Sequence, residues 1–173
     1  MRASYATILL LLAGIPVLAD DARETGAGAP AGTEVIAELY QFDLFQQNAI
    51  ETADRNGSEV LRHSAVNKAE AATQRDRALL KLQRMTGTEV NAGNGSTARC
   101  ADRLAALDST AEPDAVREFY AAQVAEHRSA VLLLQRYLSA PDNAAIKDFV
   151  ADQLPALQSD LKDAEAALAS KDD

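Results

Sequence analysis

The chain holds two histidines, His63 and His127, and any imidazole chemistry has to start from them. His127 lies in the stretch AVREFYAAQVAEHRSAVLLLQRYL, Ala115 to Leu138. Its apolar side chains Val116, Phe119, Tyr120, Val124, Val131, Leu134 and Leu138 recur at spacings of three and four. That period gathers them on one helix face with His127 inside the stripe. An imidazole in such a stripe can ligate a metal, shuttle a proton or sit in the core with its nitrogens satisfied. Its neighbour Glu126 projects about 100° away around the helix, which makes it a poor co-ligand. His63 follows Glu59 by one helical turn, so the two can meet on one face. A pair still falls short of the three or four protein ligands of a dedicated zinc site.

Other catalytic signatures are missing. Carboxylate-bridged di-iron bundles need a Glu-x-x-His motif on each of two helices. The residues three before His63 and His127 are Val60 and Val124, which argues against a ferroxidase or di-iron oxygenase. Ser58, Ser64 and Ser129 sit in cap or helix contexts without a nucleophile elbow. Gly93-Asn94-Gly95 lacks the Lys-Ser/Thr that completes a phosphate loop. Cys100 is the single cysteine, so no internal disulfide is possible; it reads as an inert thiol or an intermolecular bridge. Asn56-Gly57-Ser58 and Asn94-Gly95-Ser96 match the glycosylation pattern and equally serve as turns. No catalytic residue is assigned, and the expectation is a protein that is not an enzyme.

The elements that would position His127 are all helical. Thr33 is a plausible N-cap for a first helix over residues 34–55, with Val35, Leu39, Phe42, Phe45, Ala49 and Ala53 inward and Asn56-Gly57 as its stop. A second helix over 59–86 turns Leu61, Ala65, Ala69, Ala72, Leu79, Leu82 and Met85 inward, and its run Glu70, Gln74, Arg75, Asp76, Arg77 reads as a solvated face. Residues 87–96 are a Gly/Asn-rich loop, and a short helix over 97–107 follows. The His127 helix ends near Pro141. Asp142 or Asn143 caps a last helix over 144–169, in which Pro155 predicts a kink or a break. The expected fold is all-α: a four-helix bundle of two helical hairpins with a longer middle connection, which either crosses the bundle or pads a turn.

Met1-Arg2, the apolar run from Tyr5 to Leu18 and the small residues before Asp20 form a secretory signal peptide over residues 1–19. The run is short for a membrane span, so none is expected after cleavage. Residues 20–33 read as a disordered leader and residues 34–170 as a single domain, large enough for one core. The expected location is periplasmic or secreted. The formal charge is −9, and cleavage removes only Arg2, making it one unit more negative. Such a surface repels nucleic acid and anionic lipid, which leaves an envelope partner or ligand and a monomer or homodimer.

The segment Phe119-Tyr120, Val124-Ala125-Glu126-His127, Ala130-Val131 resembles the Tyr-x-x-x-Met/Val-x-Asp-His-x-x-Ala-Val pattern of a bacterial exported family, domain of unknown function 4142. Ala144-Ala145-Ile146-Lys147-Asp148-Phe149 with Leu154-Pro155-Ala156-Leu157, and Ser58-Glu59-Val60 earlier, are similar to further segments of it. The resemblance spans residues 34–170 and implies a ferritin-like bundle. It also implies where family histidines would stand. One falls at about Ala71 or Ala72, next to Glu70, and another at Asp160; only His127 is kept. If those histidines bind a divalent transition metal, this chain retains His127 with the carboxylates Asp160 and Glu70. The resemblance supplies fold and location, and the expected role is an envelope binding or stress accessory protein, with metal binding through His127 as the alternative.

Overall fold

A computed structural model describes residues 28–55, 59–87, 101–102, 104–105 and 114–171. The expected signal peptide, most of the leader, both Asn-Gly-Ser turns, the Gly/Asn loop, Cys100 and most of the short helix lie outside them. Four long helices make up the described fold: α1 Gly32–Arg55, α2 Glu59–Thr86, α3 Asp114–Ser139 and α4 Ala144–Ala169. α1 packs on α2 and α3 on α4, two hairpins as expected, and α1 also packs on α3 and α2 on α4.

Two apolar clusters show how the hairpins are set. One joins Val35, Ile36 and Leu39 at the start of α1 to Leu79 and Leu82 late in α2, Leu134 and Tyr137 late in α3, and Ile146 and Val150 early in α4. The other joins Ala49 and Ala53 to Leu61, Ala65 and Phe119, with Leu104 packed on it. The end of α2 and the start of α3 therefore lie at opposite ends of the bundle, and the two helices run parallel. The two ends that the connection joins are thus a bundle's length apart. This settles the path left open by the sequence and gives the connectivity of ferritin-like bundles, two hairpins with one long crossover.

The α3–α4 turn fastens the two hairpins together. Asn143 caps α4, its side-chain oxygen accepting from the Ala145 and Ile146 amides. Asp142 does the same work for a different helix: both of its oxygens accept from the Gly32 amide, at 3.1 Å each, at the start of α1. That bond lowers the Asp142 pKa, and the Tyr137 hydroxyl donates to the same carboxylate at 3.0 Å. α1 thus starts earlier than its own Thr33 implies, because its cap comes from the other hairpin. The chain is docked before that: Pro30 is buried, and the Gly28 carbonyl accepts from Arg136. Gly32 is required for closeness, since a Cβ there would lie 2.6 Å from Ile146 Cδ1 and 2.9 Å from Asp142 Oδ1.

α4 runs through Pro155 without a break. Pro155 takes the helical donor from the Ala151 carbonyl, and both residues are exposed. Met85, expected inside, is 66% exposed. It stands in the last turn of α2, past Leu82, the last α2 residue in the core.

Candidate functional site

Between the two apolar clusters lies a layer of buried polar side chains from α1, α2 and α3. α1 contributes Asp43 and Gln46, α2 Arg75, and α3 Gln123 and His127, each at most 6% exposed. Lys68 of α2 and Asp160 of α4 close its rim. Room for the layer comes from Ala69 and Ala72, whose small side chains are buried on the same stretch of α2.

His127 is held from both sides. A carbonyl oxygen can only accept, so the 2.8 Å contact with the Gln123 carbonyl places the ring proton on Nδ1. Nε2 is then the lone-pair nitrogen, and it lies 3.9 Å from Asp160 Oδ2. The ring stands edge-on to Phe42, with centroids 5.0 Å apart. Burial pushes the His127 pKa down to about 4, the Gln123 carbonyl and Asp160 opposing it and the charges of Lys68 and Arg75 adding to it. The imidazole is therefore neutral at physiological pH.

Arg75 corrects the sequence reading most sharply. It was expected on a solvated face with its neighbours, and it is buried, with Nε and one terminal nitrogen donating to Asp43 Oδ1 at 2.8 and 2.6 Å. Its guanidinium also sits over the Phe42 ring, 5.1 Å from the centroid. Burial raises the Asp43 carboxyl to about 8 against the opposing pull of Arg75, and the adjacent Asp76 carboxyl adds to the rise. Asp76 is itself held by Gln47, which donates to Oδ2 at 2.7 Å. The second oxygens, Asp43 Oδ2 and Asp76 Oδ1, are buried without a partner, as are both amide atoms of Gln46 and of Gln123.

The three proposed ligands are not brought together. His127 and Asp160 are neighbours, but Asp160 is also paired with the Lys68 ammonium. Glu70 points outward and is exposed, because it follows Ala69, which takes the inward position. Among the described residues no group of three His, Cys, Asp or Glu side chains is arranged to hold a metal ion. His63 is exposed, 3.4 Å from Asn67, on a surface groove of about 270 Å³ that Glu59 and Asp54 also line. The sequence reading missed Asp43, Gln46 and Gln123. Asp43 stands one turn after Leu39 and Gln46 one turn before Ile50, so the apolar stripe of α1 already ran through both.

This architecture defines an all-α four-helix bundle with a polar layer at mid-height. A family model described as a domain of unknown function, number 4142, matches residues 18–167, and the chain belongs to that family. No curated protein and no solved structure matches it. No described helix is long and apolar enough to cross a membrane.

Proposed function

We propose that the protein is an exported, non-enzymatic helical bundle that serves the cell envelope as a binding or stress accessory protein. One observation carries the non-enzymatic part: the charged groups and the imidazole of the polar layer are turned on one another. Nδ1 of His127 is held by a carbonyl, Asp43 by Arg75, and Asp160 by Lys68. These pairs join α1 to α2 and α2 to α4 and hold the layer's charged groups and imidazole against their own neighbours. Export rests on the apolar N-terminal run and the small residues before Asp20. Metal binding through His127 and Asp160 is disfavoured by Lys68 and Arg75, since both cations raise the electrostatic energy of a further cation at that imidazole.

The test uses a strain of the native host lacking the gene. Complementation with the full chain should place the protein in the periplasmic fraction with Asp20 as its first residue, and should restore survival under envelope stress. A folded His127→Ala variant should restore survival equally well. Retention in the cytoplasm with Met1 intact overturns the export reading. A folded His127→Ala variant that fails to complement overturns the surface-acting one.

A further inference from the structure

The polar layer contains more acid than its cations balance. Lys68 pairs with Asp160 at the rim, and His127 is neutral. That leaves one guanidinium, Arg75, on the buried Asp43, with a second, half-buried carboxyl, Asp76, beside Asp43. Asp43 spends one oxygen on Arg75 and Asp76 spends one on Gln47. The remaining oxygens, Oδ2 of Asp43 and Oδ1 of Asp76, are buried and have no donor, while the two carboxyls lie within hydrogen-bonding reach of each other. Two ionised carboxylates in that position repel and leave both oxygens without a donor.

We infer that Asp43 and Asp76 are a built site for one bound proton, shared between Asp43 Oδ2 and Asp76 Oδ1 as an acid–carboxylate hydrogen bond across the α1–α2 interface. One proton resolves three problems together. It supplies the donor that both orphaned oxygens lack. It replaces repulsion with a charge-assisted hydrogen bond. It also leaves a single negative charge to balance Arg75. The upward shift of the Asp43 carboxyl agrees with this. The charged groups that act on the Asp43 carboxyl are Arg75 and Asp76, both on α2, while Lys68 and Asp160, between α2 and α4, pair with each other and act on His127 of α3. Loss of the proton leaves an unbalanced charge between α1 and α2, so the first hairpin loosens as pH rises.

The sign follows from the direction of the shift. Asp43 holds its proton in the folded state up to about pH 8, whereas an unfolded aspartate releases it near 3.8. Its contribution is complete below the unfolded value and is lost as pH rises through the folded one. His127 acts oppositely, through its range of 4 to 6.5, so above about pH 6.5 it no longer offsets the Asp43 effect.

The experiment is a series of thermal unfolding curves of the mature protein from pH 6 to 9, beside Asp43→Asn. Asparagine mimics the protonated form, since its amide donates to Asp76 while its carbonyl accepts from Arg75. The wild-type midpoint should fall by several degrees across the range, and that of Asp43→Asn should stay level. Carbon-13 NMR of the labelled wild type, which needs no variant to fold, should show one aspartate carboxyl titrating above pH 7. A level wild-type midpoint, or every aspartate titrating near its usual value, overturns the shared proton. Restoration of the pH 9 midpoint by sodium in place of choline at constant ionic strength also overturns it, by making a metal cation the occupant.

Discussion

At the residue scale, His127 is a buried imidazole held by a carbonyl of its own helix and a ring of another. Its Nδ1 proton is committed to the Gln123 carbonyl and its ring to Phe42, so the side chain locks α3 against α1. The imidazole is neutral in the folded protein and takes a proton near 6.5 when unfolded, with the folded value at about 4. Its contribution to stability is therefore present above 6.5 and is lost as pH falls through 4. Urea denaturation at a series of pH values should show this dependence removed in His127→Gln. His127→Ala should cost about 2–3 kcal/mol at pH 7, from lost packing and a buried carbonyl without its donor, and still fold. Removing Arg75 should be worse. Arg75→Ala leaves Asp43 buried without its cation and should cost about 3–5 kcal/mol, read from denaturant midpoints.

At the scale of elements, the stripe of each helix was legible and the composition of its middle was not. The α2 and α4 bounds agree with those expected from periodicity, and Asn143 caps α4 as its type predicts. Arg75 was misplaced because a charged side chain beside Asp76 and Arg77 looks like surface, and its compensating partner is on another helix. The position of Arg75 was nonetheless inward, between Ala72 and Leu79. The start of α1 was missed for a related reason: its cap, Asp142, lies far along the chain. That cap yields a prediction. Asp142→Ala should lower stability by about 1 kcal/mol, the typical value of an N-cap. Gly32→Ala should lower it as well, although alanine favours helices, because the new Cβ meets Ile146 and Asp142. Thermal unfolding of the two variants checks both.

For the whole molecule, the polar layer divides an aliphatic and aromatic cluster from an alanine-rich one. Leu134, 0% exposed, belongs to the larger cluster, and Leu134→Asp should unfold the domain, observed as loss of helical circular dichroism at 25 °C. Four helices and two hairpins could be read from the chain because each hairpin is local in sequence. The crossover could not, since only contacts between the hairpins fix whether α2 and α3 run parallel. The family likeness likewise carried the fold, whereas the layer's pairings depend on Asp43, Arg75 and Lys68 meeting groups far away in sequence.

The central claim is that the charged groups and the imidazole of the polar layer serve one another and hold no metal ion. Elemental analysis tests it most directly. The stretch from Asp20 to Asp173 is expressed and purified without a histidine tag, exposed to iron, copper, zinc and manganese, and measured beside His127→Ala. Both proteins should carry no stoichiometric metal. Near-stoichiometric metal in the wild type, lost in a folded His127→Ala variant, would contradict the account.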